Sequence, residues 1–158
     1  MKHLVVASTN RGKVHEIRTV LANLDAWTID ALPNNLPVAE ETGSTFLENA
    51  SQKAEFYSGQ LAGSDQWIVA DDSGLVVDAL DGRPGLFSSR YAPTDDDRNR
   101  KLLHELEGFK GSQRSAQFVC ALAFAKDGQI LWTTEGRIDG TIALEPIGDN
   151  GFGYDPLF

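Results

Sequence analysis

The sequence predicts an α/β domain built on a mixed sheet, and three observations carry that prediction. Short β-branched runs alternate with helix-period segments through the first half, the order that places parallel strands beside their crossover helices. Strand-like runs then crowd the second half around an Asp-Gly hairpin signal, which adds antiparallel pairing to the sheet. The chain has 158 residues and 41% hydrophobic content, the size and composition of one domain with a real core.

The elements follow in order. LVVA (4–7) reads as a buried strand. In KVHEIRTVLANL, Val14, Ile17, Leu21 and Leu24 recur every three or four residues, so a helix runs from about residue 13. WTIDAL (27–32) is a second strand and PNNLP a rigid loop. Thr45 and Glu48 form a capping box that opens a second helix, TFLENASQKAEFYSGQLA. WIVA (67–70) and LVVDAL (75–80) read as strands on either side of DDSG, and Asp81-Gly82 as a turn. RPGLFSSRYAP is too rich in Gly, Pro and Ser for a helix. Thr94 caps a third helix with three aspartates in its first turn and basic residues later, an order that suits the helix dipole. Gly108 ends it. AQFVCALAFA and QILWTTEG flank Asp127-Gly128 as a hairpin, RIDGTIAL is one more strand, and the glycine-rich EPIGDNGFGYDPLF follows.

A net charge of −9 argues against a general nucleic-acid or membrane-surface role, both of which need basic patches. The one cysteine, Cys120 in FVCALAF, excludes an internal disulfide; its apolar neighbours predict a buried thiol and a cytosolic setting. No apolar run reaches membrane-spanning length. His3, His15 and His104 lack ligand spacing, so a zinc site is not expected.

Several short stretches can carry chemistry, each with a plainer reading beside it. ASTNRGK (7–13) puts Ser8, Thr9, Asn10, Gly12 and Lys13 at a strand-to-helix junction, where backbone N–H groups and an ammonium can meet an anion. Taken alone such a junction is more often just a turn, and it is not a Walker A loop. Glu40 and Glu41 precede a helix, where acids also serve the dipole. In VADDSG the aspartates end an apolar strand, where α/β sheets bear ligands. Alternation sends Asp71 and Asp72 to opposite faces, so one of them meets the ligand; an Asx-turn before Gly74 is the structural alternative. GFGYDP suits a loop that stacks an aromatic on a flat ligand, or a plain turn. Carboxylates without histidine or cysteine favour Mg²⁺, and lysines beside a helix N-terminus favour a polyphosphate. Together these parts suggest a nucleoside triphosphate enzyme.

The chain resembles the inosine/xanthosine triphosphate pyrophosphatases, hydrolases of non-canonical purine nucleotides. The resemblance runs in order through VVASTNRGKVHEI, AEETGSTFLENASQKA, ADDSGLVVDALDGRPGLFSSRYA and GFGYDPLF. It implies an elongated mixed sheet flanked by helices, two lobes with a central cleft, and a homodimer. It implies cleavage between the α and β phosphates. Ser8, Thr9, Asn10, Arg11, Gly12 and Lys13 would then hold the triphosphate, and Lys53 would add catalytic charge. Glu41 and Asp72 would hold Mg²⁺, with Asp72 also the base for the attacking water. Ser73 and Arg90 would contact substrate, and Phe152, Gly153, Tyr154 and Asp155 would border the base pocket.

The family's chains run on past GYDP through a lysine and a Ser-His-Arg motif that help hold the purine. This sequence contains no Ser-His-Arg and ends at Phe158. The expectation is one pyrophosphatase domain lacking that C-terminal segment, with poor discrimination between inosine and adenosine forms. The alternatives are a pyrophosphatase of the Maf type for other triphosphates and a catalytically impaired nucleotide-binding protein.

Overall fold

A computed structural model describes residues 2–158. Five strands form one sheet in the order β2-β1-β3-β4-β5: β1 Lys2–Val6, β2 Trp27–Ala31, β3 Gln66–Val77, β4 Ser115–Lys126 and β5 Gln129–Thr141. Three α-helices join them, α1 Arg11–Val20, α2 Phe46–Gln60 and α3 Asp95–Glu105. β1 pairs in parallel with both β2 and β3, with Leu4 opposite Ile29 and Trp67. β4 and β5 are joined by Asp127 and Gly128, both at positive φ (49° and 78°), the conformation a two-residue hairpin of type I′ requires.

The chain divides into two compact units, Met1–Asp72 with Ala121–Glu135, and Ser73–Cys120 with Gly136–Phe158. In the first unit the period-2 alternation of β1 and β3 sorts the core into two layers. Val5, Ala7, Ile68 and Ala70 pack with Ala50, Ala54 and Tyr57 of α2. Leu4, Val6 and Val69 pack with Val14 of α1, and Trp67 stacks on Phe124 there. The small residues Ala50 and Ala54 on α2, facing Ala121, Ala123 and Ala125 of β4, let helix and sheet approach closely. The second unit has its own core of Leu75, Val77, Leu80, Leu102, Leu106, Ile142, Tyr154 and Leu157.

Several elements differ from the sequence expectation. α1 starts two residues earlier, because Asn10 caps it by accepting from the N–H groups of Gly12 and Lys13. It also stops at Val20, and Leu24 lies in a turn that Asn23 and Asp25 favour. The capping box on α2 is only half formed. Thr45 accepts from Glu48 N, but the Glu48 carboxylate turns to the backbone and hydroxyl of Ser44. DDSG is not a turn: β3 runs through it unbroken, and the segment 78–80 is a 3-10 turn instead of strand. RIDGTIAL supplies the second half of β5 down to Thr141. Cys120 is exposed, because Val119, Ala121, Ala123 and Ala125 take the buried face of β4 and leave residue 120 on the other.

Candidate active site

The end of β1, the loop before α2 and the middle of β3 meet within the first unit. The unit's two layers decide how. Residue 71 falls in the α1 layer of β3 and residue 72 in the α2 layer, so alternation sends the two carboxylates to different helices. Asp71 accepts a 2.6 Å ion pair from the Lys13 ammonium on α1. Asp72 accepts from the Asn49 side-chain amide on α2 at 2.9 Å. Both carboxylates are buried. Opposite faces were expected from the sequence; a partner for each was not.

Lys53 completes the cluster. Its ammonium lies 2.6 Å from Glu41 and donates to the Asp71 carbonyl at 2.8 Å, tying the loop before α2 to β3. Lys13, Glu41, Lys53, Asp71 and Asp72 thus stand together as two cations and three carboxylates. Asp72 is the carboxylate of the cluster whose titration the fold shifts. Burial raises its pKa above the usual carboxyl value, the Asn49 amide pulls it back, and the Glu41 charge pushes it further up, while the Lys53 and Lys13 charges oppose that shift. One oxygen of Asp71 is buried without a hydrogen-bond partner.

That arrangement suits a divalent cation. A positive ion beside Glu41 and Asp72 relieves the repulsion between them, and hard carboxylate oxygens are what Mg²⁺ takes. Among the described residues no three His, Cys, Asp or Glu side chains form a closed metal cage. Mg²⁺ is commonly held by one or two carboxylates, waters and substrate phosphates, so a pair is an adequate set.

The loop 7–10 differs from a bare anion cradle. Asn10 N donates to the Ser8 hydroxyl, and the N–H groups of Gly12 and Lys13 are taken by the Asn10 side chain. The positive charge beside this loop therefore comes from side chains at the start of α1, Arg11 and Lys13. Arg11 and Thr9 are exposed and line a groove of about 630 Å³ with Ser8, His15 and Leu32.

Ser73, Arg90 and residues 152–155 belong to the second unit. Tyr154 is buried there, and its hydroxyl donates to the Ser88 carbonyl at 2.7 Å. It is a core residue, and burial pushes its phenol well above the usual value. Phe152 is the partly exposed ring of the loop. Asp155 accepts from Phe152 N and so closes its own turn. Gly153 is held at both ends by α3, donating to Asp95 and accepting from Asn99. The first-turn aspartates thus do more than complement a dipole. Arg90 is exposed and lies over the Phe87 ring.

The Ham1 family profile matches residues 4–158. The chain belongs to the Ham1 family. It is 51% identical over 159 residues to a dITP/XTP pyrophosphatase of Synechocystis, spanning all of this chain and 78% of that protein. A dITP/XTP pyrophosphatase of Oceanobacillus iheyensis is 45% identical over 163 residues, with 81% of its length covered. Among solved structures, a Ham1 protein from Coxiella burnetii superposes with a TM-score of 0.83 at 42% identity, over all of this chain and 81% of that one. The Staphylococcus aureus Ham1 protein gives 0.81 at 37% identity, over 99% of this chain and 80% of that one. The mixed α/β sheet is therefore that of the Ham1 family.

Sequence reasoning missed Asn49, and it named Asp71 only as one of two alternatives without a partner. Asp71 stood in plain view in VADDSG, but its partner lies 58 positions upstream, on a different helix. Asn49 sits inside ENASQ, in the first turn of α2, and carried no signal, because an asparagine there is as readily a solvent-facing residue.

Proposed function

We propose that this chain is a nucleoside triphosphate pyrophosphatase that hydrolyses deoxyinosine, inosine and xanthosine triphosphates to monophosphate and pyrophosphate. The observation that carries the reading is the half-buried cluster in which Lys13 and Lys53 each face a carboxylate near Asp72. Similarity to dITP/XTP pyrophosphatases across the whole chain supports the substrate class.

In this reading Ser8, Thr9, Asn10, Arg11, Gly12 and Lys13 bind the triphosphate, with Lys13 exchanging Asp71 for a phosphate oxygen. Glu41 and Asp72 hold Mg²⁺, which neutralises phosphate charge when bound. Asp72 takes a proton from the attacking water as its oxygen bonds to the α-phosphorus, and the bridging oxygen leaves with pyrophosphate. Lys53 faces the charge that develops during transfer. Ser73, Arg90 and the loop Phe152, Gly153 and Asp155 contact the nucleoside, with Phe152 the ring available to the base and Tyr154 supporting the loop from the core.

The test is product analysis across a nucleotide panel in Mg²⁺. Pyrophosphate and monophosphate should appear from inosine, deoxyinosine and xanthosine triphosphates. Orthophosphate release, or turnover confined to other triphosphates, would refute the reading. Two substitutions refine it. Lys13→Ala should weaken triphosphate binding more than monophosphate binding in calorimetric titrations, and equal losses would take Lys13 out of the polyphosphate site. Glu41→Gln should raise the Mg²⁺ concentration needed for half-maximal rate, and an unchanged requirement would remove Glu41 from the metal.

A cytosolic homodimer completes the proposal. The single cysteine fits a reducing compartment. The exposed Leu131, Trp132 and Ile138 of edge strand β5 offer a surface for a second copy, which light scattering would register as a doubled mass.

A further inference from the structure

One face of α2 holds the loop before it residue by residue. Lys53 grips Glu41 through the 2.6 Å ion pair. Gln52, one position back, accepts from Thr42 N at 3.0 Å. Asn49, one turn earlier on the same face, accepts from Gly43 N at 2.7 Å. Each step along the loop thus meets its own side chain on the helix.

Lys53 also reaches β3, at the Asp71 carbonyl, but of the three only Asn49 bonds the Asp72 carboxylate itself. Asn49 is 3% exposed, and while its carbonyl oxygen accepts from Gly43, its amide nitrogen donates to Asp72 at 2.9 Å. The two partners fix which way the amide points. A backbone N–H needs an acceptor and a carboxylate needs a donor, so a flipped amide would lose both bonds. The approach is close enough to demand glycine in the loop. A Cβ on residue 43 would stand 2.7 Å from the Asn49 oxygen and 2.7 Å from Glu48 Cβ.

We propose that Asn49 is a positioning residue that sets the placement of Glu41 relative to Asp72 by bonding the loop at Gly43 and the strand at Asp72 with one side chain. The proposal rests on the reading of Glu41 and Asp72 as a divalent-cation pair. A buried amide does this well, because it is rigid beyond two torsions and leaves neither end unpaired. Lys53 holds Glu41 through an ammonium that also rests on the Asp71 carbonyl, and an ammonium tolerates many angles. Asn49 supplies the directional contact.

The test uses the full chain and three variants, with Mn²⁺ as a calorimetric probe in the absence of nucleotide. Asn49→Leu keeps the volume and removes both bonds. Gly43→Ala leaves Asn49 in place and displaces its amide from the loop side. Gln52→Ala cuts the neighbouring loop contact, which does not reach Asp72. Asn49→Leu and Gly43→Ala should each raise the Mn²⁺ Kd by about tenfold or more, the usual size of losing a group that orients a metal ligand. In Asn49→Leu the Gly43 amide should also exchange with solvent about tenfold faster. Both variants should lower kcat more than they raise KM for the triphosphate, and Gln52→Ala should change the Mn²⁺ Kd by less than about threefold. Unchanged Mn²⁺ affinity in folded Asn49→Leu, or no Mn²⁺ binding by the unsubstituted chain, would overturn the proposal. If Asn49→Leu fails to fold, Gly43→Ala decides, and normal Mn²⁺ affinity there overturns it. Absence of triphosphate turnover in the unsubstituted chain would sink the proposed function, while Mn²⁺ affinity and Gly43 exchange would still judge Asn49.

Discussion

Asp72→Asn should abolish most turnover and, in the metal-free protein, raise stability at neutral pH. The first half follows from the roles proposed for this carboxylate. Removing a general base alone costs about 10²–10⁴-fold in rate, and loss of a metal ligand adds to that. The second half follows from its environment. Burial holds the Asp72 pKa above the usual value of 3.8, Asn49 opposes the shift, and Glu41 adds to it. A raised pKa means the folded state binds the proton more tightly than the unfolded state does. The resulting stability is fully present below the unfolded pKa and is lost as pH rises through the folded one. At neutral pH the native chain therefore carries a buried charge beside Glu41 that asparagine does not, while asparagine still accepts from Asn49. Denaturation of the two proteins across pH, with pyrophosphate release measured in parallel, checks both halves. Near-normal turnover in the folded variant would remove Asp72 from the chemistry. A variant less stable than the native chain at neutral pH would show that the Asn49 bond outweighs the burial cost.

Arg114→Met should destabilise the second unit by about 3 kcal/mol or more. The guanidinium is 5% exposed and donates to four backbone carbonyls: Ile142 and Ala143 at 2.7 Å, Leu106 at 2.9 Å and Phe109 at 3.4 Å. It thus joins the end of α3, the turn after it and the segment after β5. Hydrogen bonds to a charged group contribute about 1.5–3 kcal/mol each, and several would be lost together. Methionine fills much of the same space without a donor and withdraws the guanidinium from the Ile142, Ala143 and Phe109 carbonyls, while Leu106 keeps the Phe109 N–H. Lysine should recover only part, since its point charge cannot fork between separate elements. Amide exchange at Leu75 and Leu102, in the core of this unit, reports the loss directly. A change below about 1 kcal/mol would mean that water replaces the guanidinium at little cost.

The sequence made the local structure legible wherever one residue type had a single use. Asp127-Gly128 could serve only a turn with positive φ, and it joins β4 to β5. Thr94 and the aspartates after it marked the start of α3 to the residue. DDSG misled, because its composition is that of a turn. β3 continues through it with Lys13 and Asn49 each meeting one of the two carboxylates, and both partners come from distant helices. In GFGYDP the composition does not tell the two rings apart: Phe152 is partly exposed, while the Ser88 carbonyl and the second core claim Tyr154.

From the sequence alone came the α/β class, the family resemblance and most members of the charged cluster, because motif spacing and residue chemistry are written along the chain. Tertiary structure alone decided how those members are paired. Whether Lys13 meets Asp71 or Asp72 depends on which face of β3 packs against α1, a matter of one residue in register. Asn49 could be recognised only once its helix was seated on the sheet, since a buried amide takes its role from the two groups it touches, Gly43 and Asp72, six and 23 positions away.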